Sequence, residues 1–440
     1  MIIYVVQAGD TITSIANKFG VSETRLIYEN GITNPTNLVT GQTIVITYPK
    51  ETYIVIEGDT LPKIALDHKV TVMQLYQNNP FLWDREYIFP GEELIISYDT
   101  KEEITTNAYA FPFIENNILK KTLPYLTYLS ILNYRTLRKG EIESFYDDSE
   151  LIQITKQFGV LPIMLITSVT FEGERNPETA YEILLNPDYQ DKHAQNMLKV
   201  MKEKGYSGVN ITITYLNETN QNLYLNYLKR VTSILKKEGY LVFITIDPNF
   251  TAKEDQTTFE RIDFTKFSEI IDGAYFMRFY GGAQYGPPTP VGSIENIALY
   301  VSYMAQTIKP QKINIGFPLL GYDWALPYIK GFSEGNSISL DNSIELAALK
   351  KSTIQFDEIS QTPNFEYEVS VEENIIINHI VWFVDARTID AIVDLVLENG
   401  LQGTGLWNIM NYYAQLWLIL NSNFKIIKLG SVAASEIQVG

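Results

Sequence analysis

The chain opens on a short run of apolar positions, Ile2 to Val6, then a Gly9-Asp10 turn. Beyond it Ile12, Ile15, Ala16 and Phe19 recur at the spacing of one helix face. The pattern then repeats. Tyr4-Val-Val-Gln-Ala-Gly-Asp-Thr11 returns as Tyr53-Ile-Val-Ile-Glu-Gly-Asp-Thr60, 49 residues later, and the same offset joins Ile15 to Ile64, Val21 to Val70, Leu26 to Leu75 and Asn30 to Asn79. Gly41 and Gly91 are 50 apart, so the second copy carries one extra residue. Each copy reads as strand, two short helices, strand, closed by residues 43–48 and 93–98. Thr71 with Gln74 forms a capping box for the last helix of the second copy.

From residue 103 the pattern changes to strand-like apolar runs alternating with helical periodicity. The strand candidates are 106–113, 125–133, 161–167, 208–215, 240–247, 273–279, 312–319 and 403–409, with helices such as 192–204, 222–238 and 388–399 between them. Eight strands alternating with helices predict an α/β fold, a (β/α)8 TIM barrel whose functional face lies at the strand C-termini. Residues 323–385 are too long for one helix and contain further strand-like pieces (353–356, 365–371, 375–382), which predicts a small α+β insertion at about 325–380. The expected domains are 1–49, 50–100 and 101–440.

Composition narrows the chemistry. In 440 residues there is no cysteine, which excludes disulfides, thiolate metal sites and a cysteine nucleophile. Three scattered histidines, His68, His193 and His379, suggest no metal site, and no cofactor is called for. A net charge of −18 argues against nucleic-acid binding, which needs clustered Lys and Arg. The longest apolar stretches fall short of the ~18 residues of a membrane span, and the first residues lack the basic n-region of a classical signal peptide.

The two repeats resemble LysM modules. The resemblance rests on Gly9, Asp10, Thr11, Asn34, Pro35 and Gly41 in the first copy, and Gly58, Asp59, Thr60, Asn79, Pro80 and Gly91 in the second. It implies that peptidoglycan- or chitin-type N-acetylglucosamine glycans bind in a groove between the Gly-Asp-Thr and Asn-Pro loops, with tandem copies adding avidity. Asp10 and Thr11 also suit a turn and a helix cap.

Three later segments, Lys312-Ile-Asn-Ile-Gly-Phe-Pro-Leu-Leu-Gly-Tyr-Asp-Trp324, Val381-Trp-Phe-Val-Asp-Ala-Arg387 and Gly405-Leu-Trp-Asn408, resemble family 18 glycoside hydrolases, the chitinase-like family. Within it the domain order is similar to the LysM-bearing N-acetylglucosaminidase branch that attacks the spore cortex. The family pattern on strand four is Asp-Gly-x-x-x-Asp-x-Glu, in which the Glu protonates the glycosidic oxygen and the Asp orients the substrate's acetamido nucleophile. Here Gly208 sets the register, and Ser207, Thr212 and Thr214 stand at the three carboxylate positions. The family's Met-x-Tyr-Asp on strand six reads Met277-Arg278-Phe279-Tyr280. A threonine hydroxyl does not serve as a general acid near neutral pH, a contribution of roughly 10²–10⁴ in rate. The resemblance also implies a sugar-facing Trp407, with Tyr215, Tyr280, Tyr322 and Trp324 around the rim.

Three readings follow from these residues. One is a non-catalytic glycan-binding protein of the spore or cell envelope. Another is an active glucosaminidase with a displaced acid among Glu172, Glu174, Glu218 and Asp247. The last is a structural scaffold whose partners are coat or envelope proteins. The missing strand-four carboxyls favour the first and third, and Trp407 favours the first.

Overall fold

The computed structural model describes residues 1–83, 85, 87–167, 177–214, 216–248, 251–253, 256–277, 286–372 and 375–430. In the first repeat, β1 (Ile2–Val5) leads to α1 (Ile12–Phe19), α2 (Glu23–Asn30) and β2 (Thr43–Ile46), and β1 pairs antiparallel with β2. The expected face of α1 is the buried one, Ile12, Ile15 and Ala16, against Leu26, Ile44 and Ile46. The second repeat matches it with β3 (Glu51–Ile54), α3 (Leu61–Asp67), α4 (Val72–Asn78) and β4 (Glu93–Ser97). The Thr71–Gln74 capping box is present at the start of α4.

The barrel is built from β5 (Glu102–Ala110), β6 (Tyr128–Thr136), with a short antiparallel β7 (Ile142–Ser144) beside it, β8 (Leu161–Thr167), β9 (Gly208–Ile213) and β10 (Leu241–Ile246). A small hairpin, β11 (Thr251–Lys253) and β12 (Gln256–Thr258), precedes β13 (Gly273–Phe276) and β14 (Ile313–Pro318). The insertion follows at once as a five-stranded antiparallel sheet: β15 (Leu320–Leu326), β16 (Asn336–Ser339), β17 (Gln355–Asp357), β18 (Thr362–Glu372) and β19 (Ile375–Trp382). It begins ahead of the expected position 325, because Leu320–Leu326 pairs with β16 and β19 rather than leaving the barrel as a loop. β20 (Gly403–Trp407) completes the barrel, and β5–β6 pairing closes eight parallel strands into a ring. Helices cover the outside. The helix Pro187–Lys204, for example, starts with Asn186 accepting from the Asp188 and Tyr189 amides and ends at the left-handed Gly205. Among the described residues no helix is long and apolar enough to cross a membrane.

A ninth parallel strand, β21 (Phe424–Ile426), adds to β5 from the tail. Behind it, the Lys428 amino group donates to the Leu123 and Leu126 carbonyls at 2.7 Å each, and burial pulls its pKa well below the ordinary lysine range.

Both repeats bond to one barrel helix, Ala414–Asn423, among other contacts. Gln415 Nε2 donates to Thr43 O (2.7 Å) and Asn30 Oδ1 (3.1 Å), while its Oε1 accepts from the Thr43 and Tyr413 hydroxyls. On the second repeat, Asn421 Nδ2 donates to Asn78 Oδ1 (2.7 Å), and Gln77 Nε2 donates to Pro124 O (2.7 Å). These buried amides have their partners, so the contacts fix one arrangement instead of leaving two modules on tethers.

Candidate functional site

The barrel interior is layered. A lower apolar layer holds Tyr128, Ile163, Phe243 and Tyr275. Above it Asn210 of β9 reaches across the lumen: its Nδ2 donates to the Tyr109 hydroxyl (3.1 Å) and Ser130 Oγ (3.3 Å), and its Oδ1 accepts from Thr245 Oγ1 (2.7 Å). Burial pushes the Tyr109 phenol well above its ordinary range, so it stays a neutral hydroxyl that bonds Thr245 at 2.8 Å. The next layer toward the mouth is Tyr109, Leu132, Leu165, Met277 and Trp407, with Phe111 against it. Gly316 of β14 has no room for a Cβ, which would lie 2.0 Å from Met277 Cβ and 3.1 Å from its Cα, so that glycine is what admits Met277 to this layer.

Because side chains alternate along a strand, Asn210 fixes the lumen-facing side of β9, and Thr212 shares it. Thr214 is the first residue past the strand end, in a bend at the mouth. Both are partly exposed, and Thr212 lies level with Thr245 on β10. The structure thus brings together, at the mouth, the two positions where the family resemblance expects carboxylates. Ser207 is not with them. It precedes β9 at the closed end, with its amide bound to Pro162 O, roughly 17 Å of strand below Thr212. Asn210 is a lumen residue that sequence reasoning missed, although its place two residues before Thr212 was the available signal.

Trp407 ends β20 buried in the upper layer, 5.6 Å from Tyr109 and 6.5 Å from Phe111 between ring centroids, and the Trp407–Asn408 peptide is cis. Tyr322 of β15 reaches the barrel rim and lines a cavity of about 130 Å³ with Pro248, Met277, Gly316 and Pro318. Trp324 does not line the rim. It is 1% exposed, with its ring 2.5 Å from where a Cβ on Gly335 would sit, and it faces Tyr328 edge-on inside the insertion. The physical reason is distance along the strand: Trp324 shares the face of Tyr322 but lies two residues farther into the insertion, where β15 is held between β16 and β19 and the ring meets Gly335 and Tyr328. Tyr215, Phe279, Tyr280, Glu172 and Glu174 lie outside the described residues. Glu218 is exposed in the loop after β9, and Asp247 directly follows β10.

In the repeats, the Gly-Asp-Thr segments are turns and caps. Asp10 accepts from the Tyr4 hydroxyl (2.7 Å) and the Gln7 amide (2.8 Å), and the Tyr4 bond is the main cause holding its carboxyl below the usual range. Asp59 accepts from the Ile56 amide, the Tyr53 hydroxyl and Lys63, which lower it to about 2. Thr11 and Thr60 are the N-caps of α1 and α3. Gly9 and Gly58 are exposed at positive φ, and Asn34 with Pro35 forms a turn on the surface beside the barrel. Asn79 departs from expectation. It is 1% exposed, its Nδ2 donates to Leu75 O and Ile95 O, and its Oδ1 accepts from the Ile95 amide. Asn30 makes the same three bonds to Leu26 and Val45 in the first repeat. Asn79-Pro80 therefore corresponds to Asn30, a clamp between helix and strand, and its side chain is not presented to a ligand.

Comparison with known proteins agrees with this architecture. Residues 164–411 match Glycosyl hydrolases family 18, and residues 4–47 and 53–97 each match the LysM domain. The chain is similar to the cortical fragment-lytic enzyme of Bacillus subtilis (strain 168), 29% identical over 97% of this chain and 99% of that protein. Its counterpart in Bacillus anthracis is 28% identical over the same shares. The crystal structure of the Bacillus megaterium spore cortex-lytic enzyme SleL superposes with a TM-score of 0.78 at 30% identity, covering 97% of this chain and 98% of that one. The chain belongs to glycosyl hydrolase family 18, with two LysM domains ahead of its TIM barrel.

Proposed function

We propose that this protein binds peptidoglycan- or chitin-type N-acetylglucosamine glycans of the spore or cell envelope and that its barrel holds such glycans without hydrolysing them. The observation that carries the reading is the chemistry of β9. At the mouth, Thr212 on the lumen-facing side of β9 and Thr214 just past its end carry hydroxyls where an acid of this family would protonate the leaving oxygen. The apolar layer beneath ends on Trp407, whose ring would form the floor under the face of a sugar. The relatives are called cortex-lytic, which favours cortex peptidoglycan as the glycan.

A second reading keeps hydrolysis and moves the acid. It is favoured by Asp247, which follows Ile246, the register partner of Ile213, and so stands one strand over from Thr214 at the same height. A digestion assay on cortex fragments separates the two. Wild type that retains glycan and releases no reducing ends supports binding alone. Release that disappears in Asp247→Asn supports the displaced acid.

A further inference from the structure

The two LysM modules repeat one sequence pattern, yet the barrel treats their second loops differently. In the first module, the loop after α2 is built into the interface. Val39 is 5% exposed and belongs to the barrel's main core. Thr40 O accepts from the Ile354 amide (2.9 Å), and Gly41 O accepts from Arg387 (3.3 Å). The Thr33 hydroxyl donates to Glu345 on the helix Leu340–Lys350 (3.3 Å). A Cβ on Gly41 would sit 2.0 Å from Ile354 O, which measures how closely the two backbones meet.

The matching loop of the second module is open. Gly91 is the counterpart of Gly41, and a Cβ placed on it would have nothing within 4 Å. Phe89, which the 50-residue offset aligns with Val39, is 56% exposed, and Tyr87, aligned with Asn37, is 71% exposed. Ile56, aligned with Gln7 by the 49-residue offset, is 57% exposed. The Gly91 amide donates to Val55 O (2.8 Å), which holds the Ile56 turn beside the 87–91 loop. Large apolar side chains this exposed at the rim of two adjacent loops are costly to leave in water and suit the apolar face of a pyranose ring. The first module has a glutamine, an asparagine and a buried valine at the same three positions.

We propose that glycan recognition by the LysM pair falls to the second module alone, through Ile56, Tyr87 and Phe89, while the first module serves as an adaptor fused to the barrel. The proposal rests on the glycan-binding reading above and assigns it to one face. It removes the avidity that two equivalent modules would give.

The test is titration calorimetry of the full chain with a soluble N-acetylglucosamine pentamer. One variant is Tyr87→Ala with Phe89→Ala; the other is Gln7→Ala with Asn34→Ala. All four positions are exposed loop sites, and melting curves check that both variants fold. The second-module pair should weaken binding at least about tenfold, and the first-module pair less than about twofold. Equal losses, or a loss only from the first-module pair, overturn the assignment and leave the glycan-binding reading standing. Unchanged binding in both variants also overturns it and points to the barrel. Wild type that binds neither the pentamer nor insoluble peptidoglycan removes both.

Discussion

Gly41→Ala and Gly91→Ala form a matched pair that isolates how tightly the first module is seated. Both glycines have positive φ, +89° and +92°, so a methyl strains the backbone alike, by about 1–2 kcal/mol. Only at Gly41 does the methyl meet another part of the chain, with Ile354 O, C and Cβ at 2.0, 2.9 and 3.0 Å. Two of these are backbone atoms and cannot swing away. Relief requires the 40–41 loop to separate from the barrel, with loss of the Ile354–Thr40 and Arg387–Gly41 bonds at about 1 kcal/mol each, or overpacking of about 1–3 kcal/mol. Gly41→Ala should therefore be at least about 2 kcal/mol more destabilising than Gly91→Ala. Equilibrium urea unfolding of the full chain, followed by far-ultraviolet circular dichroism, reads the difference. Equal losses in the two variants would refute the close seating.

Other predictions concern the core and pH. Trp324→Ala should lower stability by about 3–5 kcal/mol while leaving glycan affinity unchanged, because the ring lies inside the insertion; calorimetry on the folded variant checks the second half. Burial lowers the His193 imidazole to about 4, so the unfolded chain takes up a proton that the folded chain refuses between about pH 4 and 6.5. That group's stabilisation is complete above about pH 6.5 and is lost as pH falls through this window, by up to about 3 kcal/mol. His193→Gln should remove it. Asp341 acts oppositely: burial, reinforced by Glu345, raises its carboxyl to about 6, so stability falls as pH rises through roughly 4 to 6. Asp341→Asn should stabilise the chain at neutral pH and leave it unchanged in acid below that window, as urea unfolding across pH will report.

Much of the architecture was legible in the sequence because its signals are local and repeated. The 49-residue offset exposed both modules, and all eight barrel strands were marked by apolar runs, with 161–167 read to the residue. What escaped were pairings made by unremarkable residues. β16 carries no apolar alternation, and β15, although Leu320, Tyr322, Trp324 and Leu326 alternate, runs straight on from the barrel strand β14, so only its pairing with β16 and β19 marks it as part of the insertion. β21 has three residues and exists through its pairing with β5. The same limit applied to the site. Thr212 and Thr214 were singled out only through the family resemblance anchored on Gly208, whereas Trp324 and Asn79 looked like surface candidates until their neighbours were known. The division between the modules was invisible for a related reason: Val39 and Phe89 are both apolar, and only the docked barrel makes one core and the other surface.

The central claim is that the chain holds N-acetylglucosamine glycan without cutting it. The most direct test incubates wild type and Thr212→Asp/Thr214→Glu with insoluble peptidoglycan and cortex fragments, measuring retained protein and released reducing ends together. Wild type should be retained without release, and the double variant should release reducing ends if the remaining lumen still positions the sugar. Reducing ends released by wild type, at a rate abolished by Asp247→Asn, would contradict the claim.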